Sequence, residues 1–197
     1  MTQFEQLNEL MNDNNGIIRT AQALAAGISK PTFYAYVKQM YLKQVAHGVY
    51  MSQDAWPDSM YVLHLRSEQA IFSHETALFL HDLTDREPQR FSITVKADYH
   101  SPQLKAEGVK VYWVKKELHK IGLTIAKTSF GNSVPVYDAE RTVCDIIRNR
   151  SNIETQTFQD TLKQYARRTD KDLGALMKYA ALFRVDTILR QYLEVLL

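Results

Sequence analysis

Phe4, Leu7, Leu10 and Met11 recur at helical spacing, so residues 2–12 are expected to form an amphipathic first helix that Asn14-Asn15-Gly16 ends. The period resumes at once. Ile17, Ile18, Ala21, Leu24 and Ala25 predict a second helix, stopped at Gly27, where a left-handed cap residue belongs. Ser29 is placed to cap a third helix. Lys30 and Pro31 fit its first turn, where a missing backbone donor costs nothing, and Phe33, Val37 and Met40 supply its apolar stripe. Two short apolar segments, Leu42–Ala46 and Val49–Met51, flank His47-Gly48 and predict a small hairpin.

Periodicity breaks at Asp54-Ala55-Trp56-Pro57-Asp58, the expected linker. Beyond it, Met60–Arg66 and Ser73–Leu83 carry helical periods, with Ser73 placed as an N-cap. Phe91–Val95 and Val109–Val114 alternate and are rich in β-branched and aromatic residues, as are the segments on either side of Gly131-Asn132. Together they predict a small antiparallel sheet. Asp138 is placed to cap a further helix, and the pattern is helical from there on. Its apolar stripes run through Val143, Ile146 and Ile147, then Phe158, Leu162 and Tyr165, then Leu173, Leu176 and Met177, then Ile188, Leu189 and Tyr192. The expected fold class is α+β, with one domain over residues 1–56 and a C-terminal domain over 57–197 that combines the small sheet with several helices.

The 197 residues are 45% hydrophobic and 23% charged, an ordinary globular balance rather than that of a disordered chain. No apolar run approaches the length of a membrane span and the start is polar, so a cytoplasmic protein with no membrane partner is expected. The lone Cys144 lies in an apolar-periodic run and reads as a buried thiol.

Net charge is only +2, so its distribution matters more than its total. Residues 14–53 hold four bases, Arg19, Lys30, Lys38 and Lys43, and no acid. Residues 54–100 hold eight acids against four bases, and the remainder 16 bases against 11 acids.

Residues 17–51 have the order and spacing of a winged helix-turn-helix. With Phe33, Val37 and Met40 inward, Lys30, Tyr34 and Lys38 line the opposite side of the third helix, with Thr32, Ala35 and Gln39 beside them. A recognition helix needs such an acid-free face: short polar or aromatic groups near its N-terminus for base edges, and lysines for phosphates. The candidate DNA-binding residues are Arg19, Ser29, Lys30, Thr32, Tyr34, Tyr36, Lys38, Lys43 and His47, with the His47-Gly48 tip as the wing. Arg148, Arg150, Arg167, Arg168 and Lys171 are a candidate second phosphate-binding surface, the alternative being solvated helix ends.

Other chemistries fit less well. His74 and His81 lie seven apart with no third ligand at a matching offset, so no metal site is expected. Ser73, His74 and Glu75 are adjacent in sequence and do not form a triad on a helix. Glu107 and Lys110, three apart on a strand, point to opposite faces, unlike a metal-dependent nuclease pair. There is no glycine-rich phosphate loop, and neither catalysis nor a cofactor is expected.

The chain resembles the AbiEi-type antitoxins of type IV toxin-antitoxin systems, bacterial transcriptional regulators linked to abortive infection of phage. The resemblance rests on the N-terminal unit ending in His47-Gly48-Val49-Tyr50, the segment Ile71–Leu83, the strand Phe91–Val95, and Val136–Arg150. It implies a repressor that binds double-stranded operator DNA of its own operon. It also implies a C-terminal domain that counters a nucleotidyltransferase-like toxin without a stable complex. Self-association on DNA belongs with these expectations. The wing departs from the family in being poor in arginine. The competing class is a non-catalytic adaptor whose winged helix contacts protein.

Overall fold

The computed structural model describes residues 2–99 and 102–196. The chain divides into two compact units: residues up to Glu68 together with Lys127–Ser133, and Gln69–Ala126 together with Val134 onward.

The first unit starts with α1 (Gln3–Asp13), whose capping box joins Thr2 Oγ1 to the Glu5 amide at 3.2 Å and the Thr2 amide to Glu5 Oε2 at 2.7 Å. There follow β1 (Ile17–Arg19), α2 (Thr20–Ala25), α3 (Lys30–Gln39), β2 (Lys43–Ala46), β3 (Val49–Met51) and α4 (Ser59–Arg66). The expected second helix is therefore corrected at its start. Ile17 and Ile18, β-branched and fully buried, pair antiparallel with Met51 and Tyr50 and close a three-stranded sheet of order β1-β3-β2. Leu7, Ile18, Ala23, Ile28, Phe33 and Tyr36 form the core between helices and sheet.

The expected linker at Asp54–Asp58 falls inside this unit. Asp58 is 1% exposed; its Oδ1 caps α4 by accepting from the Tyr61 amide at 3.0 Å. Its Oδ2 accepts from Thr128 Oγ1 at 2.5 Å and from Asn132 Nδ2 at 2.8 Å. Asn132 Oδ1 in turn accepts from Asn15 Nδ2 at 2.7 Å. A segment remote in sequence thus completes the unit through a buried carboxylate, a role that composition alone does not reveal.

The second unit holds β4 (Ile71–Phe72), α5 (His74–Leu80), β5 (Ser92–Lys96), α6 (Pro102–Ala106), β6 (Lys110–Val114), β7 (Leu123–Lys127) and β8 (Ser133–Tyr137). Four helices follow: α7 (Ala139–Arg148), α8 (Thr155–Arg167), α9 (Leu173–Phe183) and α10 (Asp186–Leu196). The sheet order is β6-β5-β4-β8-β7. The expected antiparallel sheet is corrected to a mixed one: β4–β5 is antiparallel, whereas β4–β8 and β5–β6 are parallel. The connection from β5 to β6 contains α6, as a parallel crossover requires.

α7 is the central helix. Asp138 Oδ1 caps it by accepting from the Arg141 amide at 2.7 Å, and every residue from Ala139 to Ile147 other than Glu140 is buried. Cys144 is fully buried among these helices, and burial, reinforced by Asp145, pushes its thiol up to about 12. An aromatic disulfide reagent is therefore expected to leave Cys144 unmodified at mildly alkaline pH and to titrate one thiol after denaturation. Modification at the rate of a free thiol in the folded protein would contradict this burial.

Candidate functional site

α3 begins at Ser29, whose Oγ accepts from the Thr32 amide at 3.3 Å. The structure places Lys30, Tyr34 and Lys38 on its exposed side. Tyr34 is 49% exposed, and its ring sits edge-on to Phe33 and Tyr50 with centroids 5.7 and 6.4 Å away, so its phenol stands on a fixed aromatic base. Beyond α3, Lys43 and Gln44 are exposed on β2, and His47 is exposed at the β2–β3 turn. That turn needs Gly48, at φ +68°, whose carbonyl accepts from the Thr20 amide at 2.9 Å and ties the tip to the start of α2. Lys30, Tyr34, Lys38, Lys43 and His47 are thus solvent-facing side chains on one helix and the hairpin that follows it.

Other expected members are not free for this role. Tyr36 is 1% exposed: its ring meets Phe4 edge-on at 5.3 Å, its hydroxyl donates to Asn8 Oδ1 at 2.7 Å, and burial raises its pKa. It takes the inward position assigned to Met40, which is 45% exposed. The physical reason lies in the helix end. α3 stops at Gln39, the Leu42 amide returns to the Val37 carbonyl, and Leu42 packs on the core in place of Met40. Arg19 is paired with Glu68 and donates to the Leu65 carbonyl at 3.3 Å. Ser29 is occupied as the helix cap, and its hydroxyl also shares a 2.9 Å hydrogen bond with that of Thr32. Tyr41, at φ +51° and 76% exposed, was not singled out by periodicity, because it lies one residue past the end of the helical pattern.

The second basic set is spread toward both ends of α7. Glu140, at the start of α7, accepts from Tyr165 Oη at 2.9 Å and from the Asp172 amide at 3.0 Å, so the end of α8 lies beside the start of α7. Arg148 and Arg150 lie at the other end of α7, about 12 Å along its axis. Arg168 is held by Asp170 and by the His81 carbonyl at 2.7 Å, and Lys171 donates to the Arg168 carbonyl at 2.8 Å. Arg148, Arg150 and Arg167 remain exposed.

The second unit carries a buried polar layer that sequence spacing did not reveal. Ser92 and Thr94 on β5 are in register with Lys110 and Tyr112 on β6, on the face toward α5. His74 stands there at φ +49°, fully buried, its ring stacked on Tyr112 at 3.4 Å. Asn149 Nδ2 donates to the Asp145 carbonyl at 3.0 Å, which fixes the amide orientation, and it lies 2.9 Å from His74 Nε2. His74 Nε2 is therefore the acceptor, and the Nδ1 proton points at Ser73 Oγ, 3.0 Å away. Burial and the nearby Lys110, Arg141 and Arg148 lower the His74 pKa well below its usual value and keep it neutral. An imidazole that donates to a serine hydroxyl is oriented the wrong way to take its proton. Thr94 Oγ1 also donates to Ser73 Oγ, at 2.8 Å, so the expected capping role of Ser73 gives way to this network, and no side-chain cap bond forms at α5. Among the described residues no three His, Cys, Asp or Glu side chains converge to hold a metal, and no helix is long and apolar enough to cross a membrane.

No family model matches the sequence, and no curated protein matches it. The fold is similar to the crystal structure of the RV2827C protein from Mycobacterium tuberculosis, with a TM-score of 0.61 at 13% identity, over 98% of this chain and 78% of that one. At that identity the likeness concerns the fold alone.

Proposed function

We propose that the protein is a DNA-binding transcriptional repressor of the AbiEi antitoxin type, cytoplasmic and acting on double-stranded operator DNA of its own toxin-antitoxin operon. In this reading the first unit is a winged helix-turn-helix. α3 is the recognition helix and the β2–β3 turn is a short wing. The observation that carries the reading is the face formed by Lys30, Tyr34 and Lys38, exposed and free of acids, next to a hairpin that presents Lys43 and His47. Duplex DNA suits that face: its phosphates take the lysines, while Thr32 and Tyr34 stand near the helix N-terminus, where base edges are read. The second unit counters a nucleotidyltransferase-like toxin without a stable complex, as the family resemblance implies.

A second reading, a non-catalytic adaptor whose winged helix contacts protein, rests on the exposure of Met40, Tyr41 and Trp56, the last two at 76% and 77%. Fluorescence anisotropy with the duplex upstream of the protein's own reading frame separates the two. The repressor binds it in the presence of excess non-specific competitor, and the adaptor does not. With Arg19 engaged by Glu68, the three exposed lysines of α3 and the hairpin, Lys30, Lys38 and Lys43, remain for phosphates. The slope of log affinity against log salt is then expected near −3 per bound protomer, from about −0.9 per contact. A much steeper slope at one protomer per site would assign phosphate contacts to the second unit as well.

A further inference from the structure

Asn15-Gly16 is the one Asn-Gly pair in the sequence. It lies in the turn between α1 and β1, with both residues in the left-handed region at φ +52° and +79°. Gly16 is required twice: by that conformation, and by a close approach, since a Cβ there would stand 2.7 Å from Ala55 Cβ and 2.8 Å from Ser52 Oγ. Asn is among the few other residues that enter the left-handed region readily. The turn thus keeps a side-chain amide next to an unhindered backbone nitrogen. The Gly16 nitrogen can attack Asn15 Cγ: the N–Cγ bond forms, the Cγ–Nδ2 bond breaks, and ammonia leaves with the proton of the Gly16 nitrogen. Water then opens the cyclic imide at either carbonyl, giving aspartate or isoaspartate.

Two hydrogen bonds oppose that ring closure. The Gly16 amide donates to the Met11 carbonyl at 2.8 Å, which holds its proton in place. Asn15 Nδ2 donates to Asn132 Oδ1 at 2.7 Å, which keeps the exposed Asn15 side chain off its own backbone. We propose that Asn15-Gly16 is a deamidation site held closed by the folded first unit, and that conversion there loosens the Lys127–Ser133 segment, leaving an irreversible mark on chains whose first unit has opened. Aspartate at position 15 has no donor for Asn132 Oδ1 and sets a carboxylate against that oxygen. Turning the Asn132 amide over to meet it would withdraw Nδ2 from Asp58 Oδ2, 2.8 Å away. Isoaspartate lengthens the backbone of the turn and displaces the Gly16 amide from Met11. The inference does not depend on what α3 binds.

The test incubates the full-length protein at mildly alkaline pH, with and without denaturing urea, and follows aspartate and isoaspartate at position 15 by mass spectrometry of the tryptic peptide 1–19. Conversion is expected to be about thirtyfold slower without urea, the factor that two ordinary hydrogen bonds supply. Asp58→Ala, which weakens the same network, is expected to speed conversion without urea, and the exposed Asp54→Ala is not. The product is tested by Asn15→Asp. Hydrogen exchange is expected to quicken at the amides of Thr128 and Gly131, which bond to the carbonyls of Asn132 and Thr128 at 2.9 Å, while α7 amides keep the parent rate. Equal conversion with and without urea, no conversion in urea, or parent-like exchange at Thr128 and Gly131 in Asn15→Asp overturns the proposal.

Discussion

Asp58→Ala is expected to destabilise the first unit by about 2–4 kcal/mol, combining the loss of a helix cap with the stranding of buried donors that now meet a carboxylate. Three hydrogen bonds converge on this one side chain: the Tyr61 amide on Oδ1, and the Thr128 hydroxyl and the Asn132 amide on Oδ2. Thr128 and Asn132 are themselves buried, so both lose their acceptor without gaining water. The measurement is urea unfolding of the full chain together with hydrogen exchange at residues 14–18 and 58–66. Faster exchange there, with α7 amides unchanged, is the expected signature. The exposed Asp54→Ala, a few residues away, is expected to stay within about 0.5 kcal/mol of the parent. A destabilisation as small for Asp58→Ala would mean that the carboxylate is not the anchor its geometry describes.

Arg141→Ala is expected to cost about 3–5 kcal/mol, the range for breaking a buried ion pair and leaving the partner charge alone. Arg141 is 1% exposed, and its Nε donates to Asp145 Oδ2 at 3.0 Å. Its Nη1 donates to the carbonyls of Leu118 and Ile121 at 3.0 and 2.8 Å, and the guanidinium lies between the rings of Tyr137 and Phe183, 4.0 and 3.9 Å from their centroids. Gly122 makes room for it, since a Cβ there would stand 2.5 Å from Arg141 Cβ. Adding Asp145→Leu to Arg141→Met removes the stranded charge but leaves the two carbonyls unpaired, so partial recovery is expected, as read by urea midpoints.

The pH dependence follows from the carboxylate. Burial raises the Asp145 pKa even with Arg141 beside it, and losing the guanidinium raises it further. A carboxyl whose folded pKa lies above its unfolded value penalises folding at neutral pH, and the penalty fades as pH falls toward the ordinary carboxylate range. The stability gap between parent and Arg141→Ala is therefore expected to narrow on acidification. A gap that widens with falling pH would contradict a stranded Asp145.

Local chemistry was readable where a single segment decides the outcome. Ser29 before Lys30-Pro31, Asp138 before α7 and Gly48 in the hairpin each do what their residue types suggest. Sequence reading failed where tertiary pairing decides. Ile17 and Ile18 fit a helical stripe, yet β3 offers them a strand partner. Met40 fits the stripe of α3, yet the helix ends one residue before it and Tyr36 fills the core. The mixed sheet and the Asp58 anchor join segments tens of residues apart, and no local period encodes such pairings. The partners of His74, Tyr112 and Asn149, come from β6 and the end of α7, beyond the reach of spacing arguments.

The most direct measurement of the proposed recognition role compares binding of the upstream duplex with that of a scrambled duplex of equal length, for the parent protein, Tyr34→Ala and Lys38→Ala. The parent is expected to prefer the upstream sequence. Tyr34→Ala is expected to lose about 1–3 kcal/mol of that preference, while Lys38→Ala weakens both duplexes alike and makes the salt slope shallower by about 0.9. Equal binding of the two duplexes by the parent, or an undiminished preference in folded Tyr34→Ala, would contradict α3 as the helix that reads DNA.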